Sequence, residues 1–155
     1  MARQRKEIGL AIIGCGVIGR IRAKLASQYP GIGWIGLCDI KEDLGRALAD
    51  EIDADFFTTN FEELIKRPEV NATIVATDEN HHVGPTLLAA SLGHDLFIEK
   101  PLATEADESL SVLNTISENN VDAVVGYTQR FRRRFLTVKE RLRNGDIGQV
   151  TSVVT

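Results

Sequence analysis

The stretch that decides the fold is Ile8-Gly9-Leu10-Ala11-Ile12-Ile13-Gly14-Cys15-Gly16-Val17-Ile18-Gly19. Its first half is an unbroken apolar run rich in β-branched residues, as expected of a parallel strand buried on both faces. Its second half reads G-x-G-x-x-G, and helical periodicity then runs over residues 17–28, up to Tyr29-Pro30-Gly31. Strand, glycine turn and helix in that order open a β-α-β unit whose turn can approach a diphosphate. Gly14 permits the tight turn, Gly16 lets a pyrophosphate reach the backbone, and Gly19 lets the helix close on the strand. Val17 and Ile18 open the helix, where free N–H groups and the positive end of the dipole face the phosphates.

Working outward, residues 34–38 form a second apolar strand that ends at Asp39, twenty positions beyond Gly19. An acidic residue at that spacing accepts hydrogen bonds from the adenosine ribose hydroxyls of a dinucleotide. A carboxylate there repels a 2′-phosphate, so NAD is the expected cofactor. Lys41 partly offsets that repulsion and leaves room for NADP. Ile40, between the two, joins the expected cofactor-binding set.

Strand-like and helical segments keep alternating. Further strands are expected at residues 55–57, 72–76, Asp95–Ile98 and Ala123–Val125, with helices at 44–52, 61–66 and 85–92 and another running to about residue 119. Thr59 with Glu62 has the spacing of a capping box, Thr104 stands where a helix cap would, and Gly93 stands where a helix-ending glycine would. The last helix is expected to bury Phe131, Phe135, Val138 and Leu142, which share one face. The alternation predicts an α/β fold, a doubly wound parallel sheet of the Rossmann type. Residues 1–147 make up the expected dinucleotide-binding domain. The tail, residues 148–155, reads as a new strand and as the start of a truncated C-terminal substrate and oligomerisation domain.

Bulk properties narrow the function. A chain of 155 residues is the usual size of one domain. The net charge of −4 provides no overall basic field for nucleic acid or an anionic membrane. The N-terminal apolar run is too short to span a bilayer. Cys15 and Cys38 match no metal spacing and suit a reducing compartment, the cytoplasm. Asp78, Glu79, His81 and His82 lack the i, i+4 spacing of helical metal ligands, so no metal is expected. The arginines at 130 and 132–134, with Lys139, Arg141 and Arg143, read as the wet face of an amphipathic helix. His94 is expected in a surface turn.

In an open parallel sheet, ligands bind beyond the carboxyl ends of the strands. Ala76-Thr77, with the turn to His82, ends there, as do Glu99-Lys100-Pro101 and Tyr127 to Phe131. Pro101 biases Lys100 toward an extended backbone, and the bond between them is a candidate for the cis form. An ammonium at that point can hydrogen-bond a reacting hydroxyl and stabilise developing alkoxide charge. The plainer alternative is an exposed lysine paired with Glu99.

Together, G-x-G-x-x-G, Asp39, Ala76-Thr77 with His82, Glu99-Lys100-Pro101 and Gly126-Tyr127-x-x-Arg130-Phe131 resemble the Gfo/Idh/MocA oxidoreductases, the glucose–fructose oxidoreductase and inositol dehydrogenase family. The resemblance runs from Ile8 to the C-terminus. It implies an NAD(P)-binding domain followed by an open-sheet domain that shapes the substrate pocket and the interface of a homo-oligomer. It also implies hydride transfer to or from a small-molecule sugar or polyol. Lys100 matches the family's catalytic lysine, His82 its crevice turn and Arg130 its strand-end motif, whereas the remaining catalytic aspartate and histidine belong to the second domain. Asp78 and Arg132 depart from the family pattern, where proline and aspartate are common. A different reading of the same fold is a non-catalytic regulatory module that senses NAD or a sugar.

Overall fold

The computed structural model describes residues 7–153. Six strands, β1 (Ile8–Ile13), β2 (Ile32–Cys38), β3 (Phe56–Thr58), β4 (Ala72–Val75), β5 (Asp95–Ile98) and β6 (Ala123–Val125), pair in parallel in the order β3-β2-β1-β4-β5-β6. The order reverses between β1 and β4, which opens a crevice at their carboxyl ends. The helices are α1 (Val17–Ser27), α2 (Glu42–Ile52), α3 (Phe61–Ile65), α4 (Val83–Ser91), α5 (Ala106–Glu118) and α6 (Arg133–Arg143).

The unbroken apolar run of β1 faces two cores at once, as side chains alternate along a strand. Leu10 and Ile12 pack with Ala23 and Ala26 of α1, Leu37 of β2 and Leu48 of α2. Ala11 and Ile13 point the other way, toward Leu64 and Ile65 of α3, Val75 of β4 and Ala89 and Ala90 of α4. Two buried layers around one sheet hold the turn after β1 between rigid elements. That turn is where the site forms.

Several expectations change in the fold. Helix α3 begins one residue later than a Thr59 cap would place it. Its cap is Asn60, whose side chain accepts the Glu62 N–H at 2.9 Å. Helix α5 begins at Ala106, so Thr104 lies outside it, and Asp107 and Glu108 compensate its positive end instead. His94 is buried rather than in a surface turn, with its Nδ1 3.2 Å from Thr73 Oγ1. The apolar side of α6 is not covered. Phe131 lies before the helix, in the short turn Thr128–Phe131, and is 68% exposed, and Phe135, Val138 and Leu142 are also exposed, because the helix packs mainly on that turn. Residues 149–153 carry no strand, so the ladder expected of the tail is not formed among the described residues, and Val154 and Thr155 lie outside them. The basic lead-in, residues 1–6, also lies outside them.

Candidate functional site

The crevice is a cavity of about 850 Å³ whose lining includes Gly14, Gly16, Val17, Ile18, Asp39, Ile40, Ala76, Thr77, Glu99 and Lys100. These come from four segments of chain. The carboxyl ends of β1, β2, β4 and β5 converge here, and α1 begins here.

The glycine turn divides its work among three positions. Gly14 has φ +97°, and a Cβ there would lie 2.5 Å from the Ala76 carbonyl oxygen, so only glycine fits between β1 and β4. At Gly19 a Cβ would overlap the Gly14 carbonyl, which is how α1 comes down on its own strand. Gly16 differs from both. Its φ of −62° suits any residue, and a Cβ would meet nothing within 4 Å. The space in front of Gly16 is therefore open on the crevice side, beside the free N–H groups of the first turn of α1.

Charge supports the same placement. Helices α2, α3 and α5 each carry two acidic residues in their first turns, whereas α1, α4 and α6 carry none, and of these three α1 is the one that begins at the glycine turn. The positive end of α1 is thus left for a ligand to neutralise. Asp39 sits across from it. Its Oδ2 accepts the Cys15 N–H at 2.7 Å and its Oδ1 the Lys41 N–H at 2.8 Å, which orients the carboxylate against the turn. Each oxygen keeps a lone pair for a further donor such as a ribose hydroxyl. Cys15 and Cys38 are buried beside it, and burial, with the Asp39 charge second, pushes both thiols up to about 12.

Three expected residues lie off the lining. Gly19 is behind the turn, as its packing role requires. His82 does not present its ring to the crevice. It is 1% exposed, with Nδ1 2.7 Å from the Pro101 carbonyl and Nε2 3.3 Å from that of Thr77. The ring is held between the loops that follow β4 and β5. Arg130 lies in the turn after β6 and stacks over Tyr127 at 5.8 Å.

Glu99 and Lys100 separate in a way that sequence alone could not show. Glu99 is 8% exposed and pairs with Arg22, whose Nε and Nη2 lie 3.0 and 2.6 Å from Oε1. Lys100 is exposed, its side chain has no ion-pair or hydrogen-bond partner among the described residues, and the Lys100-Pro101 bond is cis. The plainer reading, a Glu99–Lys100 pair, is not what forms. Arg22 was not among the expected residues. Its signal was its position, since 19, 22, 23 and 26 share one helical face, and a charge on a stripe of small residues needs a partner. Phe61 and Leu44 also line the crevice and carried no motif to single them out, and Thr59, expected only as a helix cap, lines it too. Among the described residues, no cluster of three or more metal-ligating side chains occurs, and no helix is long and apolar enough to cross a membrane.

A six-stranded parallel sheet with a glycine turn, an uncompensated helix N-terminus and a strand-end aspartate around one crevice defines a Rossmann domain of the dinucleotide-binding class. Residues 8–127 match the Gfo/Idh/MocA oxidoreductase family, NAD-binding Rossmann fold, and the chain belongs to that family. It is 33% identical over 149 residues to the inositol 2-dehydrogenase of Gluconacetobacter diazotrophicus, a match covering 94% of this chain and 44% of that protein. It is 30% identical over 145 residues to 2,7-anhydro-N-acetylneuraminate hydratase of Mediterraneibacter gnavus, covering 94% of this chain and 38% of that one. The scyllo-inositol dehydrogenase of Lactobacillus casei, solved with NAD(H) and scyllo-inositol, has the same fold. Its TM-score is 0.88 at 20% identity, over 94% of this chain and 44% of that chain. The chain spans about two-fifths of the length of the curated relatives it matches.

Proposed function

We propose that this chain is the cofactor domain of a cytoplasmic dehydrogenase that transfers hydride between NAD and a hydroxyl-bearing carbon of a sugar or polyol. The observation that carries the reading is the open space at Gly16. A glycine that packing does not require, at the start of a helix with no acidic first turn, fits a diphosphate lying against the backbone. Gly14, Gly16, Val17 and Ile18 would hold that diphosphate, and Gly19 sets the approach of the helix. Asp39 and Ile40 would take the adenosine ribose, with NAD preferred over NADP because Asp39 is an anion.

Ala76, Thr77, Glu99 and Lys100 border the other end of the crevice, where the nicotinamide would supply the hydride donor or acceptor. Lys100 is the exposed cation there. Its ammonium can donate a hydrogen bond to the substrate oxygen and hold it as charge develops on that atom. His82 and Arg130 are not assigned ligand contacts, because neither side chain lines the cavity. Full activity, the sugar or polyol itself, the NADP alternative and a homo-oligomeric assembly belong to this proposal through the family resemblance.

The test is made on the polypeptide encoded by the whole gene, assayed with NAD and a panel of inositols and hexoses. Lys100→Met should abolish turnover and spare NADH binding. Turnover that survives Lys100→Met would remove Lys100 from the chemistry. Absence of turnover on every polyol, with NADH still bound, would overturn the substrate class.

A further inference from the structure

We infer that Arg22 and His82 are positioning residues that hold Lys100 from both sides, Arg22 through the residue before it and His82 through the residue after it. The inference rests on the reading of Lys100 given above and extends it to the side chains that fix where its ammonium starts.

The sheet stops helping just before Lys100. The Glu99 N–H donates to the Val75 carbonyl at 2.9 Å, the last backbone bond that ties this segment to β4. Beyond it the chain turns away from the ladder, and Pro101 has no N–H to donate. A turn of this kind, bearing an exposed lysine, would ordinarily move freely. Here it is gripped at both ends.

On the leading side, both guanidinium contacts of Arg22 fall on one oxygen of Glu99, and the guanidinium carbon lies 4.6 Å over the Phe97 ring. The other carboxylate oxygen occupies the space that a side chain at Gly126 would need, since a Cβ there would lie 2.9 Å from it. Arg22 belongs to α1, the helix whose first turn lines the cofactor crevice. The helix that would seat the diphosphate therefore also fixes Glu99.

On the trailing side, the Pro101 carbonyl can only accept, so His82 Nδ1 must carry the proton of the 2.7 Å bond between them. The His82 backbone is itself anchored, since its carbonyl accepts from the Thr86 hydroxyl at 2.7 Å at the start of α4. Its Nε2 faces the Thr77 carbonyl on the β4 loop. Lys100 thus hangs between two fixed points, and only its side chain keeps rotamer freedom. Holding a reacting group by supports of this kind is what gives it a productive geometry before substrate arrives.

Two paired variants separate positioning from plain structural support. In His82→Asn the side-chain amide can take the place of Nδ1–H and keep the Pro101 bond, whereas in His82→Gln it can replace only Nε2. Arg22→Met combined with Glu99→Gln removes the other grip without leaving a buried charge unpaired. The readouts are amide hydrogen exchange at residue 100 and at 102–104 in the ligand-free chain, and the carbon-13 signal of the Lys100 ε-carbon, assigned with Lys100→Arg, at saturating NADH. His82→Gln and the Arg22/Glu99 double variant should speed exchange there roughly tenfold or more. They should also lose about half or more of the NADH-induced shift of Lys100, and His82→Asn should restore both signals. Unchanged exchange and shift in His82→Gln, or no advantage of Asn over Gln, would overturn the proposal. Should the double variant fail to fold, the Asn and Gln pair decides alone. Should the parent chain bind no NADH, the cofactor reading fails, while the exchange data still decide whether the turn is gripped.

Discussion

Gly16→Ala sets stability and binding against each other. At Gly16 the backbone has φ −62° and ψ −167°, a conformation alanine adopts without strain, and its Cβ would meet nothing within 4 Å. The folded state therefore loses nothing, and the unfolded chain loses freedom, a stabilisation of about 0.4–1 kcal/mol. For a domain of this size that raises Tm by about 1–4 °C. The same methyl group takes up the open space that the cofactor reading assigns to the diphosphate. Losing one charge-assisted hydrogen bond costs about 1.5–3 kcal/mol, which weakens NADH binding about 10- to 160-fold. Gly19→Ala is the contrasting control. Its Cβ would overlap the Gly14 carbonyl, so it should destabilise by about 1–3 kcal/mol or more. Scanning calorimetry and a calorimetric titration with NADH read both quantities. If Gly16→Ala melts as early as Gly19→Ala, or binds NADH as tightly as the parent chain, the reasoning about Gly16 is wrong.

Further predictions follow from the surrounding residues. Asp39→Asn replaces one acceptor oxygen with an NH2 group facing a backbone N–H. It should cost about 1–2 kcal/mol in a melting experiment and reduce the preference for NAD over NADP in parallel titrations; an unchanged preference would remove Asp39 from cofactor discrimination. Burial holds the His94 imidazole below its ordinary value of 6.5, so the unfolded chain binds a proton more readily than the folded one. Stability from this residue is therefore complete above pH 6.5 and is lost as pH falls below it. Melting curves across that range should flatten in His94→Asn, and an equal slope in the variant would contradict the assignment. Cys15 and Cys38, buried and pushed up to about 12, should resist alkylation in the native protein at mildly alkaline pH and react fully in denaturant, as mass spectrometry would show. Rapid native labelling would mean that the β1 and β2 strand ends open readily.

What the sequence revealed depended on how far apart the partners lie along the chain. The Ile8–Ile13 strand, the glycine turn and the Asp39 spacing are local patterns, and each occupies the expected place in the fold. Two features of the site escaped because they depend on distant partners. The Arg22–Glu99 pair joins residues 77 positions apart, and the His82 ring turns toward a carbonyl 19 positions away. Periodicity predicted a buried face of the last helix, but Phe131 falls before α6, and Phe135, Val138 and Leu142 stay exposed among the described residues, because spacing alone does not say what covers a helix. His94 was misplaced because polar composition suggests a turn, whereas a single hydroxyl, Thr73, is enough to keep a buried imidazole partnered. The caps expected at Thr59 and Thr104 each moved by one residue, the ordinary uncertainty of helix ends.

The most direct test of the central claim is a calorimetric titration of the folded chain with NAD, NADH, NADP and NADPH. Saturable binding at one site, tighter for NAD and NADH than for the phosphorylated pair and weakened in Gly16→Ala, is what the crevice around Gly16 and Asp39 predicts. A chain that melts cooperatively and yet takes up no dinucleotide would contradict it.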